Sequence, residues 1–170
     1  NASFCNIGLQ LDLSKYSDTA KELLFNSALL GKDISYNKSS FALDNNATSS
    51  DRMMTAMGQG ETLVSPYHMA LITSAVANGG RLMEPYLVEE VTNYSGTIVE
   101  ETDPESYGQL MTSEEAAQLK VYMQNVTDYG TGSVFAGSGY SVAGKTGTAE
   151  YSDGDSSKNH SWFVGFTNVD

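Results

Sequence analysis

The chain has 170 residues, 40% hydrophobic and 18% charged, a composition ordinary for one globular domain or a large piece of one. Its 21 Asp and Glu against 9 Lys and Arg give a net charge of −12, which argues against nucleic acid and against an anionic membrane surface, since both need clustered cations. The single cysteine, Cys5, leaves no disulfide framework and no cysteine metal cluster, and reads as a small buried hydrophobe.

From the start of the chain, ASFCNIGLQLDL reads as the end of an apolar helix. SKYSDTAKELLFNSALL, residues 14–30, has apolar residues at helical spacing and predicts a second helix. Residues 31–51 are rich in Ser and Asn and predict a polar surface excursion. Ser65-Pro66 starts a further helix, because serine caps free N–H groups and proline fits the first turn. Met69, Ile72, Thr73 and Val76 form its apolar face, and Asn78-Gly79-Gly80 stops it.

YLVEEVTN and GTIVEE predict two strands around a turn at Tyr94-Ser95-Gly96. Thr112 and Glu115 form a capping box for a long helix through SEEAAQLKVYMQNV, which Gly130-Thr131-Gly132 breaks so that the chain can turn. SVAGKTGTAEY and HSWFVGFTNV, separated by the polar stretch SDGDSSKN, predict a closing antiparallel hairpin. Helices first and a hairpin last predict an α+β fold, with helices packed on an antiparallel sheet. No apolar run approaches the length of a membrane span.

Lys145-Thr146-Gly147 carries the chemistry. A lysine on a strand near a cleft offers a point charge to a carboxylate, and the adjacent hydroxyl adds a hydrogen bond. Gly147 removes a side chain, so that a substrate backbone can lie against the strand. The bare tripeptide reads more readily as a turn with a solvated lysine. Its company decides: GQGETLVSPYHMA, ANGG, YGTGSVF, AGKTGTAE and HSWFVGF follow one another in order. Together they resemble the transpeptidase domain of penicillin-binding proteins, most closely the class B enzymes, over nearly the whole chain. S-x-x-K, S-x-N and K-T-G are the motif set of these proteins and of the β-lactamases.

The resemblance implies a β-lactamase/transpeptidase-like fold, incomplete at both ends, with residues 1–170 as the C-terminal portion of one domain. It implies a serine D,D-transpeptidase that cross-links D-alanyl-D-alanine stem peptides of peptidoglycan through an acyl-enzyme and is acylated by β-lactam antibiotics. It implies no cofactor and no metal. By position, Lys145, Thr146 and Thr148 would bind the substrate carboxylate, and the backbone N–H of Thr148 would form half of an oxyanion hole. Further implications are a membrane-anchored parent on the extracytoplasmic face of the bacterial plasma membrane, and partners from cell-wall synthesis.

The sequence departs from the family at S-x-x-K. Its one match, Ser35-Tyr36-Asn37-Lys38, lies in a polar stretch with no apolar periodicity to hold a serine rigid. It reads as surface loop, as does the S-x-N mimic Ser35-Tyr36-Asn37. Asn1 is either the asparagine of S-x-N, with Asn1-Ala2-Ser3-Phe4 at the family's spacing, or a cloning remnant. The chain therefore reads as a fragment that does not itself carry the nucleophile, and its uncovered apolar surface favours self-association. Glu61 and Glu150 read as solvated, Trp162 and Phe163 as core, and His160 carries no assigned chemistry. Other readings of the motif set are a serine β-lactamase or D,D-carboxypeptidase, or a β-lactam sensor without turnover.

Overall fold

The computed structural model describes residues 1–28, 31, 34–151 and 158–167. The chain begins with α1 (Ala2–Gln10) and α2 (Leu13–Glu22), followed by α3 (Ser49–Ala56) and α4 (Pro66–Ala77). Strands β1 (Arg81–Met83), β2 (Glu90–Thr92), β3 (Ile98–Glu101) and β4 (Ser106–Gln109) come next. After α5 (Ser113–Asp128) and a short 3-10 turn, β5 (Val142–Glu150) and β6 (Asn159–Thr167) close the order.

The expected α+β class holds, but not as a single sheet. Among the described residues the strands form three antiparallel pairs, β1 with β4, β2 with β3, and β5 with β6. The pairs β2–β3 and β5–β6 are the two predicted hairpins. β1 and β4 escape sequence reading because they pair across the intervening β2–β3 hairpin, with no local turn joining them to mark the pairing.

Local chemistry sets the helix starts. Asp12 accepts from the backbone N–H groups of Ser14 and Lys15 at the head of α2, and Ser65 accepts from His68 N–H at the head of α4. Thr112 and Glu115 make the predicted reciprocal box at α5. Hydrogen bonds from the Thr112 backbone and hydroxyl hold the Glu115 carboxyl below its ordinary range.

Helix α2 stops short of its prediction. Leu24 and Asn26 adopt left-handed backbone, with φ of 69° and 62°, a conformation that side chains resist. Tertiary bonds outweigh the helical periodicity there. The Asn26 amide clamps both the N–H and the carbonyl of Phe41 at 3.0 Å, and the His68 ring meets the Leu23 carbonyl at 2.7 Å. Residues 29 and 30 of the predicted helix lie outside the described residues, as do 152–157 of the predicted polar loop and 168–170.

The polar excursion also needs correction. Leu43 and Ser39 are buried, and Thr48 with Asp51 forms a second capping box that starts α3. Helix α4 buries His68, Leu71, Thr73, Ala75 and Val76. Thr73 and Val76 belong to the predicted face, whereas Met69 and Ile72 are only half-buried. The helix is apolar nearly all round, so periodicity alone could not choose its face. Leu24, Leu71, Ala75 and Leu82 make the core, with Tyr67 and Leu110 against it. Cys5 is half-buried against α3, between the Met53 carbonyl and the Met57 sulfur.

Candidate active site

The KTG segment lies on β5, paired antiparallel with β6. Lys145 stands opposite Val164, Thr146 opposite Phe163, Gly147 opposite Trp162 and Thr148 opposite Ser161. Alternate residues of a strand face opposite sides of its sheet, so the Lys145 side chain leaves on one face, and those of Thr146 and Thr148 leave on the other.

Backbone groups alternate too, from one edge of the strand to the other. The Thr148 carbonyl accepts from the Gln59 side-chain Nε2 at 3.1 Å, and the Thr146 carbonyl accepts from Lys145 Nζ at 2.5 Å. Residues 146 and 148 are two apart and share an edge. Side-chain donors from outside β6 therefore serve that edge, which is the one away from β6. The lysine head curls around the strand to reach it, bringing its charge beside the threonines although its stem starts on the other face. Lys145 is exposed and Thr146 half-buried.

Two features of α5 anchor this strand. Thr127 is 2% exposed, and its hydroxyl donates to the Val142 carbonyl at the root of β5. Beyond the helix, the N–H groups of Gly130 and Gly132 both donate to the Val126 carbonyl, at 3.1 and 3.0 Å. That closure leaves Thr131 at the tip, and its hydroxyl is 2.6 Å from the hydroxyl of Thr146. Sequence reasoning reads Gly130-Thr131-Gly132 as a turn and as part of the YGTGSVF motif, with no role for the Thr131 side chain. The signal it passed over was the polar residue held between two glycines.

Gly147 has a second role beyond the one expected of it. A Cβ there would stand 3.2 Å from Trp162 Cβ, so the missing side chain also lets the two strands pack closely. Trp162 is half-buried, but Phe163 is 42% exposed and leans on Phe135 with ring centroids 4.8 Å apart. Phe163 is thus not the core residue expected. Glu61 and Glu150 are exposed, as anticipated. His160 stacks on Tyr151 with centroids 4.6 Å apart.

Asn1 is exposed and caps α1 without a side-chain hydrogen bond. Helix α1 packs against α3. Arg52 donates to the carbonyls of Gly8, Leu9 and Leu11 at one end, while Cys5 meets Met53 and Met57 further along. Ser35 is exposed on irregular backbone, with no helix to fix its hydroxyl.

A sequence profile described as the penicillin binding protein transpeptidase domain matches residues 1–170. Stage V sporulation protein D of Bacillus subtilis is 33% identical over 124 residues, covering 71% of this chain and 19% of that protein. Peptidoglycan D,D-transpeptidase PbpA of Mycolicibacterium smegmatis is 31% identical over 117 residues, covering 66% of this chain and 23% of that protein. The chain thus spans about a fifth of the length of these relatives. A solved D,D-transpeptidase domain of a peptidoglycan glycosyltransferase from Eggerthella lenta superposes with a TM-score of 0.78 at 27% identity, covering 98% of this chain and 42% of that one.

Proposed function

The chain belongs to the penicillin-binding protein transpeptidase family, and from that premise we propose that it supplies the substrate-binding strand of a serine D,D-transpeptidase. The observation that carries this reading is the edge of β5 away from β6, which no described strand covers and to which the Thr146 carbonyl, with Lys145 Nζ on it, and the Thr148 carbonyl both face.

In this reading Lys145 binds the terminal carboxylate of a D-alanyl-D-alanine stem peptide, aided by the Thr146 and Thr148 hydroxyls. Such charge-assisted contacts are among the stronger hydrogen bonds. The Thr148 N–H shares the strand edge of its own carbonyl and serves as half of the oxyanion hole; the N–H of the nucleophilic serine is the other half. Donors fixed before charge develops stabilise a tetrahedral oxyanion without reorganising. Asn1, at the head of α1, bonds the substrate's peptide carbonyl. Gly147 keeps the strand clear for the peptide.

The chemistry is acyl transfer. A serine Oγ attacks the carbonyl of the penultimate D-alanine, the C–N bond to the terminal D-alanine breaks, and that amine leaves with a proton. The acceptor strand's amine then attacks the ester and frees the serine. A β-lactam enters the same first step by opening its ring and leaves the serine acylated. The serine is not Ser35, whose exposed irregular backbone gives it no fixed geometry. The remainder of the domain supplies the serine, which makes residues 1–170 one portion of that domain. The site works at the extracytoplasmic face of the bacterial plasma membrane, among other proteins of cell-wall synthesis. Among the described residues no helix is long and apolar enough to cross a membrane. Phe4 and Ile7 on α1 are 60% and 50% exposed, an apolar face that favours self-association of the isolated chain.

Intact-mass analysis with labelled penicillin tests this. The full-length protein is expected to gain one stoichiometric adduct on a serine other than Ser35, and the 170-residue chain alone is expected to gain none. An adduct on Ser35, or none on the full-length protein, would overturn the assignment.

A further inference from the structure

The Gly58-Gln59-Gly60 segment has no part in the roles assigned so far, yet it reaches the proposed oxyanion-hole residue directly. Gly58 and Gly60 have φ of +84° and +83°, a backbone region that side chains rarely adopt. The two glycines bracket Gln59 in a tight reversal at the end of α3. The Gln59 N–H donates to the Met54 carbonyl at 2.8 Å, and the Gly58 N–H donates to the Thr55 carbonyl at 3.0 Å. The base of the side chain is thus fixed by the helix end. From there its amide Nε2 donates to the Thr148 carbonyl at 3.1 Å.

We infer that Gln59 is a positioning residue for the oxyanion hole: its carboxamide holds the Thr148 backbone so that the Thr148 N–H points at the developing negative charge. The inference rests on the transpeptidase reading above. Its physical basis is local. The bond to the Thr148 carbonyl restrains ψ at Thr148, and the N–H of the same residue lies on the same strand edge. Because β5 has no described strand on that edge, this side-chain bond does what a neighbouring strand would otherwise do. Only a donor serves, since the carbonyl can only accept. Glutamine fits the position and glutamate does not.

The test uses the full-length protein as wild type, Gln59→Glu and Gln59→Met, with penicillin G as the probe. Three quantities are read: the second-order acylation rate constant, the infrared difference band of the acyl-ester carbonyl, and the thermal midpoint. Both variants are expected to keep the wild-type midpoint. Their acylation is expected to slow roughly threefold to tenfold, as for one lost neutral hydrogen bond. The ester band should move to higher wavenumber, because a less well-aimed N–H polarises the carbonyl less. An unshifted band with unchanged rates overturns the inference. So does a slowing that appears only with a fall in thermal midpoint, or failure of both variants to fold, since either makes Gln59 a structural tie. If wild type itself takes no adduct, the transpeptidase reading fails instead, and Gln59 has no oxyanion hole to position.

Discussion

Replacing Thr127 by valine removes a single hydroxyl from the root of the KTG strand and changes the shape of the side chain little. Thr127 is 2% exposed, so water cannot replace the lost donor. Its hydroxyl serves the Val142 carbonyl and lies 2.9 Å from the Gln124 carbonyl within α5. Leaving a buried acceptor without its donor costs about 1–3 kcal/mol. For a domain of this size each kcal/mol lowers the melting temperature by roughly 2–4 °C, so the expected drop is about 2–12 °C. Thermal unfolding followed by circular dichroism measures it. The companion Thr127→Ser keeps the donor and loses a methyl group, and is expected to melt above Thr127→Val. If the valine variant melts with wild type while the serine variant falls below it, packing rather than the hydrogen bond anchors β5, and the reasoning is wrong.

Lys145→Ala in the full-length protein removes a charge-assisted carboxylate contact of about 1.5–3 kcal/mol. The penicillin acylation rate should fall roughly ten- to a hundredfold, and unchanged kinetics would refute the role. Thr131→Val removes the hydroxyl that meets Thr146 and should slow acylation roughly twofold to tenfold; Thr131 is exposed, so a large loss of thermal stability would instead mark a folding defect. His68 is fully buried, with Nε2 on the Leu23 carbonyl and Nδ1 without a hydrogen-bond partner among the described residues. The carbonyl can only accept, so Nε2 carries the proton. Burial holds the imidazole pKa below its ordinary value, against a smaller opposing effect of the Leu23 bond. The unfolded chain takes up a proton near pH 6.5 and the folded chain resists it, so stability should hold above about pH 6.5 and fall as pH drops below it. Unfolding midpoints across that range check this, and a midpoint that rises on acidification would contradict it.

Much of this was legible because local chemistry and tertiary structure agree. The Thr112–Glu115 box, the Ser65-Pro66 helix start and the β5–β6 hairpin all fold as their residues suggest. Lys145, Thr146 and Thr148 lie on one strand, β5, as the hairpin reading expects. What escaped the sequence depends on distant partners. The chain leaves the helix at Leu24 and Asn26 because His68 and Phe41, far along the chain, bind the Leu23 carbonyl and the Asn26 amide in place of a further helical turn. The buried Ser39 and Leu43 look polar and exposed in sequence because their cover comes from elsewhere in the fold. Thr131 and Gln59 were hidden for the same reason. Their contacts, Thr146 and Thr148, lie 15 and 89 residues away, and no periodicity encodes such a meeting.

In the proposed function, the edge of β5 away from β6 receives the carboxylate and the reacting carbonyl of the substrate. A crystal structure of the full-length protein acylated by penicillin G tests it most directly. The penicillin carboxylate is expected within hydrogen-bonding distance of Lys145 Nζ and of the Thr146 or Thr148 hydroxyl, with the ester oxygen facing the Thr148 N–H. An acyl group bound away from β5, with its carboxylate on other residues, would contradict it.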